Sequence, residues 1–312
     1  MWRPVRRDSC DGMVATRDTR PYAAVWACVA MWGFSGILVK STDVAPLVAS
    51  FYRLWFGVAL LWSATLLRGR TRQTLRWQWL KLCAFGGLFF GVHQILFFES
   101  LEATRVANVQ IIASLQPAVV AFLAARFFDE PVPWHALPFL GVAIVGIAVV
   151  VMSTSGLPGV HPYGDALAIA NLFAFVGYFL ASKRIRDELG AAEYITGMTT
   201  VAALVLSLTL LFAGQAPTPP SLRDALILFT IAALPGTLGH TLMTWAHPHL
   251  PAFTISTTIL AVPVISAVAA DYFLGETLGA AQVLGGAIAL FGVGLILRRS
   301  ASPPAVVAPT EG

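Results

Sequence analysis

Charged residues are scarce in this chain of 312 residues, because Lys, Arg, Asp and Glu together make up 12% of it, against 57% hydrophobic residues. A water-soluble protein of this length cannot hide so much apolar surface in its core. In a bilayer, by contrast, the apolar face of each helix meets lipid. The composition therefore excludes an ordinary soluble globular protein and predicts a protein whose main partner is the lipid bilayer.

Cysteine is equally rare and unpatterned. Cys10 lies in the polar N-terminal segment, Cys28 and Cys83 lie in apolar runs, and no Cys-x-x-Cys spacing occurs. This set excludes a disulfide framework and a zinc site, so we predict neither a metal nor another cofactor. The net charge of +4 is not gathered into a continuous basic face, which argues against a nucleic-acid partner.

Apolar runs of about twenty residues recur along the chain, the length that an α-helix needs to cross ~30 Å of hydrocarbon. The predicted spans lie near Tyr22–Ser41, Pro46–Leu67, Trp79–Phe98, Val106–Phe128, Ala136–Met152, Asp165–Ser182, Ala192–Ala213, Ala225–Ala246, Ala252–Leu274 and Ala280–Leu297. The sequence thus predicts an all-α integral membrane protein with ten transmembrane helices.

A Gly/Pro/Ser-rich linker at 154–164 separates the first five spans from the last five. We therefore predict a first five-helix unit at 22–153 and a second at 165–299. A cytoplasmic tail at 1–21 and a disordered Pro/Ala-rich tail at 300–312 complete the predicted organisation.

The basic residues predict the orientation in the membrane. If the N-terminus is cytoplasmic, sixteen Lys and Arg fall on the cytoplasmic side and two, Arg105 and Arg223, fall on the outer side. Lys40 then stands near the outer end of the first span. Because cytoplasmic loops carry an excess of Lys and Arg, both termini are predicted to lie in the cytoplasm, with the protein in a bacterial inner membrane.

The two halves resemble each other at an offset of 146 residues. In each half a proline within a span is followed after thirteen residues by a glutamate, and after sixteen more by a glycine. The matching pairs are Pro117 with Pro263, Glu130 with Glu276, and Gly146 with Gly292. Since each half has an odd number of spans, the second half enters the membrane from the opposite side. Such inverted repeats are typical of alternating-access transporters.

Each repeated residue type also has a structural interpretation. A carboxylate just before a span stabilises the positive end of a helix, which predicts a capping role for Glu130 and Glu276. A proline kinks its helix, so Pro117 and Pro263 indicate either packing geometry or a hinge, and the sequence leaves both open. The two glycines would let neighbouring helices approach closely.

These features resemble the ten-helix members of the drug/metabolite transporter superfamily, which have two EamA-type domains. The resemblance rests on Trp32-Gly33 and Lys40 in the first span, Arg53 in the second, and the repeated proline, glutamate and glycine. It covers about Tyr22 to Arg299. It implies a central cavity and a transporter, not an enzyme, that exports amino acids or other small metabolites or, in some members, takes solutes up. The second half departs from the pattern, because it reads Val-Gly-Tyr at 176–178 where the Trp-Gly pair would recur.

Polar side chains within the predicted spans are the candidates for the substrate pathway. Ionisable groups there cost ~2.5–3.5 kcal/mol on insertion scales, so Arg53 is either a partner for helix-end carbonyls or a contact for a substrate carboxylate. Hydrogen bonding between helices explains the neutral polar candidates as well as substrate contact does. The candidates are Trp32, Arg53, His93, Gln94, Asn108, Gln116, Asn171, Tyr178, His240 and Thr244.

The middle of every predicted span lacks Asp and Glu, which leaves no residue for a proton antiport driven by a carboxylate. Facilitated export, or proton coupling through His93 and His240, fits this absence better, because histidine titrates near neutral pH. The substrate is expected to be a small molecule, and the protein a monomer or a homodimer.

One enzymatic alternative exists. The string Gly33-Phe34-Ser35-Gly36 matches the Gly-x-Ser-Gly motif of intramembrane serine proteases. In that class Ser35 would be the nucleophile, and His93 or His240 would have to lie within hydrogen-bond reach of it as the base.

Overall fold

The computed structural model describes residues 19–70, 77–127, 137–154, 160–185, 190–246 and 258–300, with residues 156–157, 249–250 and 255 between them. The predictions for Glu130 and for most of the two tails lie outside these residues. The helices, numbered in chain order, are α1 (Arg20–Lys40), α2 (Pro46–Leu67), α3 (Trp77–Ala103), α4 (Val106–Ala113), α5 (Gln116–Phe127), α6 (Leu137–Thr154), α7 (Pro162–Ile185), α8 (Ala191–Phe212), α9 (Leu222–Ala246), α10 (Ala261–Leu274) and α11 (Ala280–Ser300). No strand occurs in the described ranges.

The described part of the chain contains seven helices that are long and apolar enough to cross a bilayer, namely α1, α2, α3 and α6 to α9. Three shorter apolar stretches, Val106–Val120, Ala261–Leu274 and Ala280–Ile296, coincide with the remaining predicted spans. Large apolar side chains such as Leu211 and Phe291 are exposed on the outside of the bundle, as lipid-facing residues require. The all-helical membrane architecture is thus confirmed, and the count of ten spans stays a prediction.

Two of the predicted spans are broken at matching positions. The fourth stops at Ala113, turns at Ser114 and Leu115, and resumes as α5, with Pro117 in the first turn. The ninth turns at Leu260 before α10, with Pro263 in the first turn of that helix. Proline lacks the N–H that a helix interior requires, but the first turn leaves its N–H groups without helical partners anyway. The prolines therefore begin new helical segments in both halves.

Helix α9 changes its winding in the middle. Residues Leu222–Ile231 form an α-helix, Ala232–Gly239 a π-helix that contains Pro235, and His240–Ala246 an α-helix again. Pro235 cannot donate the hydrogen bond that regular winding requires, and a π-turn accommodates this defect without ending the helix. Segments of this kind are frequent at functional sites, and this one faces the interior of the bundle near Trp32 and Arg53.

Several helix pairs join the first and second halves, and two of them are antiparallel pairs that pack in different ways. In one pair, a Cβ atom on Gly146 of α6 would lie 2.6 Å from the carbonyl oxygen of Gly285 in α11. The same contact recurs with the halves exchanged, because a Cβ on Gly292 would lie 2.8 Å from the carbonyl oxygen of Phe139 in α6. The offset of 146 residues relates these two contacts, so α6 and α11 cross about a pseudo-two-fold axis.

The other pair, α2 with α8, is held by hydrogen bonds along its length. Trp55 Nε1 donates to Ser207 Oγ at 3.1 Å, and Trp62 Nε1 donates to Thr200 Oγ1 at 2.9 Å. At the far end Arg70 pairs with the buried carboxylate of Glu193 at 2.8 Å. This hydrogen bond and the charge of Glu193 raise the pKa of Arg70 above its usual value.

Candidate functional site

A cavity lies between the two halves, at the level of the broken helices. Its volume is about 100 Å³. Because one water molecule takes up ~10–15 Å³ of such a space, the cavity suits a solute with on the order of ten non-hydrogen atoms. It is lined by Trp32, Ser35, Arg53, His93, Gln94, Phe97, Phe98, Gln110, Ala113, Ser114, Gln116, Asn171, Phe175, Ile231, Pro235, His240, Ile259, Val262 and Pro263.

The breaks in the fourth and ninth predicted spans bring both halves to the cavity wall. Ser114 and Gln116 flank the first break, and Val262 and Pro263 follow the second. The π-helix of α9 contributes Pro235 on another side. Interrupted helices expose backbone groups inside the membrane only where these groups line a cavity, so the three irregular segments point to this space as the solute site.

Among the described residues that line the cavity, Arg53 is the one that carries a permanent positive charge. Its side chain is buried, and its guanidinium carbon lies 5.5 Å from the centre of the Phe90 ring. The Nε atom has no hydrogen-bond partner within the described ranges, and no carboxylate there forms an ion pair with this guanidinium. No hydrogen bond from Arg53 to a helix-end carbonyl, the partner that the sequence left open, occurs among the described residues. A smaller void of about 10 Å³ also adjoins Arg53.

His93 and His240 are both buried, and each has a side-chain partner from the second half. His93 Nδ1 lies 2.5 Å from Asn171 Oδ1, an arrangement in which the ring nitrogen donates to the amide oxygen. His240 Nδ1 lies 3.2 Å from Tyr178 Oη. The rings of Trp32 and His240 also pack together, with 5.1 Å between their centres. The histidines are therefore fixed in orientation while they line the cavity.

Trp32 ties α1 to the π-helix of α9, because its Nε1 donates to the carbonyl oxygen of Pro235 at 3.2 Å. Ser35, one turn further along α1, donates its hydroxyl to the carbonyl oxygen of Trp32 at 2.7 Å. In the described part of the chain, no hydrogen bond joins Ser35 to His93 or His240, as a Ser–His nucleophile would require. Nor do the described residues contain a cluster of three His, Cys, Asp or Glu that could hold a metal ion.

Seven of the predicted pathway residues line the cavity, and three do not. Those at the cavity are Trp32, Arg53, His93, Gln94, Gln116, Asn171 and His240. Tyr178 stands behind His240, and Thr244 bonds through its hydroxyl to the carbonyl of His240. Asn108 lies elsewhere, at one end of the bundle. Phe97 and Phe175 complete the wall; each lies four residues beyond a predicted residue, a spacing that places them on the same helix faces.

A second set of polar bonds between the halves lies at the end of the bundle where α1 ends and α4 begins, which we call the polar end. There Lys40, the last residue of α1, pairs with Glu276 at 2.8 Å. The other carboxylate oxygen of Glu276 accepts a hydrogen bond from the backbone N–H of Val106 at 3.0 Å. Glu276 therefore caps the N-terminus of α4, a helix in the other half, whereas the sequence suggested the helix that follows it. Arg223 pairs at the surface with Asp43 at 3.2 Å.

Asn108 belongs to a buried cluster of hydrogen-bonded side chains at the polar end. Its Nδ2 donates to Thr154 Oγ1 at 2.8 Å and to Asp165 Oδ1 at 3.1 Å. Asp165 also accepts from Thr104 Oγ1 at 2.9 Å, so this carboxylate of the second half is bonded to two residues of the first. The cluster joins the ends of α3, α4, α6 and α7.

Comparison of the sequence with models of protein families identifies the class of protein. The model described as the EamA-like transporter family matches residues 20–152 and again residues 162–298. The chain therefore belongs to this family, with one copy of the domain in each half, and it is a multi-pass membrane transporter. This confirms the resemblance to the drug/metabolite transporter superfamily.

Relatives with named activities are distant. The threonine/homoserine exporter RhtA of Salmonella typhimurium is 26% identical over 200 residues, which cover 64% of this chain and 65% of that protein. The probable terminal-alkyne amino-acid exporter of Streptantibioticus cattleyicolor is 27% identical over 289 residues, or 89% of this chain and 94% of the exporter. An uncharacterized transporter of Archaeoglobus fulgidus is 25% identical over 293 residues, or 87% of this chain and 96% of that protein.

The fold also matches a solved structure. A crystal structure that is 20% identical in sequence superimposes with a TM-score of 0.64, over 90% of this chain and 98% of the other. At this identity the likeness concerns the fold alone.

Proposed function

We propose that the protein exports a small metabolite, an amino acid or a related compound, from a bacterial cell by alternating access. In this proposal ten spans form two inverted five-helix repeats in the inner membrane, at residues 22–153 and 165–299, with both termini in the cytoplasm. Pro117 and Pro263 serve as hinges where the fourth and ninth spans are interrupted.

The observation that carries the proposal is the cavity between the halves. It lies where matching helices of the two repeats are both broken, and its lining comes from both repeats. Two similar units around one site can exchange conformations of comparable energy, which is the basis of alternating access. The volume of about 100 Å³ agrees with an amino-acid-sized solute.

In this proposal the polar end closes the cavity toward the outside of the cell. Under the proposed orientation this end faces the outside of the cell, since Lys40 ends the first span there. The bonds of Glu276 with Lys40 and Val106, and of Asp165 with Thr104 and Asn108, all connect one repeat with the other. They would have to break for a solute to leave outward.

Export of an amino acid is supported by the names of the two relatives with stated activities. Transport is driven either by the solute gradient alone or by protons that His93 and His240 carry. Flux measurements in proteoliposomes distinguish the two mechanisms. If the flux depends neither on a pH gradient nor on substitution of these histidines by glutamine, transport is driven by the solute gradient alone.

The decisive experiment compares metabolites inside and outside cells that express the intact protein with those of cells that express Ala113→Phe. Ala113 lines the cavity, so a phenylalanine there fills it. The matched control is Ala170→Phe, which makes the same substitution at an exposed position of α7. Membrane abundance of the three proteins is equalised by immunoblot.

Export predicts that one class of compound accumulates in the medium with the intact protein and with Ala170→Phe, and does not with Ala113→Phe. Depletion of a compound from the medium would instead identify an importer of the same fold. If neither pool changes in several growth media, the proposed transport through this cavity is wrong.

A further inference from the structure

The described residues that line the cavity include a positively charged side chain, that of Arg53, and no negatively charged one. The carboxylates of Glu276 and Asp165 are engaged at the polar end with Lys40 and Thr104. A buried arginine without a counter-charge is unfavourable, because the group loses its hydration and gains no anion in exchange. An anionic group on the solute would supply that missing partner.

The surroundings of Arg53 keep its guanidinium in one place. The Phe90 ring lies on one side of it. On another side is Gly236 of the π-helix, where a Cβ atom would come within 3.0 Å of Arg53 Nη2. The missing side chain of Gly236 thus leaves room for the guanidinium beside α9. The bond from Trp32 to Pro235 holds this segment against α1. A guanidinium fixed in this way presents its N–H groups as a planar fork, the geometry that matches a carboxylate.

The rest of the lining offers weaker partners to a positively charged group. Its polar side chains are amides and hydroxyls such as Gln94, Gln110 and Ser114, and its apolar wall includes the rings of Phe97 and Phe175. An ammonium group can accept neutral oxygens and aromatic faces there, but it finds no opposite charge among the described lining residues. The carboxylate of an amino acid therefore gains more in this cavity than its ammonium group does.

We propose that the cavity selects its solute by a carboxylate that binds Arg53, and that the ammonium group of an amino acid is secondary. This inference rests on the proposed transport function and narrows its substrate class to small monocarboxylates, zwitterionic or not. The 2-hydroxy analogue of an exported amino acid is then also a solute, whereas the amide and the decarboxylated amine are not.

The test uses the full-length protein in proteoliposomes loaded with a mixture of the twenty amino acids, their 2-hydroxy analogues, their amides and their decarboxylated amines. Efflux of every compound is measured by mass spectrometry, and efflux from protein-free liposomes is subtracted. The variants are Arg53→Gln and Arg53→Lys. The matched control is Arg68→Gln, the same substitution at the exposed end of the same helix.

We expect efflux of carboxylates alone, with the hydroxy analogue within about tenfold of its amino acid. Arg53→Gln should lower this efflux at least about tenfold, since a charge-assisted hydrogen bond is lost. Arg53→Lys should keep part of it and Arg68→Gln all of it. Arg53→Gln should also leave the melting temperature unchanged or higher, because an uncompensated charge is removed. A structural role for Arg53 predicts the opposite shift.

Other outcomes overturn the inference in distinguishable ways. If an amide or amine leaves as fast as its parent acid, or if Arg53→Gln transports normally, transport stands and carboxylate selection is wrong. If no compound leaves through the intact protein while its fold is verified by size-exclusion chromatography, the proposed function fails together with the inference.

Discussion

Two of the helix pairs that join the halves, α6 with α11 and α2 with α8, are built in opposite ways. Between α6 and α11 the backbones approach so closely at Gly146 and Gly292 that no side chain fits. Between α2 and α8, by contrast, tryptophan side chains donate hydrogen bonds to serine and threonine hydroxyls of the other helix. Both solutions are known in membranes, where lipid is as apolar as the helix surface and association depends on close packing and polar contacts.

The two kinds of packing should respond differently to a substitution in the interface. In the α6–α11 pair an added atom meets backbone, which cannot move without shifting a whole helix. In the α2–α8 pair each bond is a separate contact between side chains, so one loss leaves the others in place. We therefore expect the glycine pair to fail abruptly and the hydrogen-bonded pair to weaken in small steps.

The largest effect is expected for Gly146→Val. A Cβ at this position lies 2.6 Å from the carbonyl oxygen of Gly285, and valine adds two further methyl groups. Overpacking in a dense interior usually costs about 1–3 kcal/mol, and contact with backbone places this case at or above the upper value. Unfolding in mixed detergent and SDS micelles measures the loss.

Gly141→Val is the matched control, since it makes the same change in the same helix at a position with no atom within 4 Å of the added Cβ. Its stability should stay within about 1 kcal/mol of the parent protein. Equal losses for the two variants would show that close approach of α6 and α11 does not hold the halves together.

An effect of intermediate size is expected at the polar end. This end must open to the outside if the protein works by the proposed alternating-access cycle. Lys40→Met removes the charged partner of Glu276. We expect about tenfold more of the outward-open conformation, or about 1.4 kcal/mol, which is modest for a hydrogen bond between charged groups. The probe is the rate at which a membrane-impermeant maleimide, added outside, labels Ser35→Cys in the cavity, with Cys10, Cys28 and Cys83 replaced by alanine.

The control for this variant is Arg223→Gln, because Arg223 and Asp43 are both exposed and such pairs contribute little. Its labelling rate should change less than that of Lys40→Met. If Lys40→Met labels no faster than the parent, the polar end does not hold the cavity closed to the outside.

The repeat is the feature that the sequence predicted best. The offset of 146 residues, found from proline, glutamate and glycine alone, also relates the contacts of Gly146 and Gly292 in the structure. Helix boundaries were close as well; for example, α2 runs over Pro46–Leu67 as predicted. Both results rest on strong local signals. These are apolar runs long enough to span a membrane, and residues such as proline, which lacks the backbone N–H that a helix interior requires.

The sequence predicted how deep in the membrane the candidate residues lie better than it predicted which of them face the cavity. Their positions along apolar spans placed Arg53, His93 and His240 within the membrane, and all three line the cavity in the structure. It could not show that Asn108 turns to the polar end, since that depends on the packing of four helices. Nor could it single out Phe175, because an aromatic residue facing a cavity and one facing lipid look alike in a sequence.

The smallest effect is expected in the hydrogen-bonded pair. Thr200→Val removes the acceptor of the Trp62 indole N–H, a bond of 2.9 Å. Bonds between membrane helices average ~0.6 kcal/mol and reach ~1.7 at most, because the separated helices find other partners. Thr209→Val is the control: Thr209 donates to its own helix at Val205, as Thr200 does at Thr196, and the hydrogen bonds of the described residues give it no partner on another helix.

The difference in stability between Thr200→Val and Thr209→Val isolates the bond between α2 and α8. Trp62→Phe, alone and combined with Thr200→Val, completes a double-mutant cycle whose coupling energy should equal that difference. A coupling near ~0.6 kcal/mol, beside a far larger cost for Gly146→Val, would establish that close packing dominates one pair and separable polar contacts the other. A coupling of zero would mean that the bond between Trp62 and Thr200 does not help to hold α2 against α8.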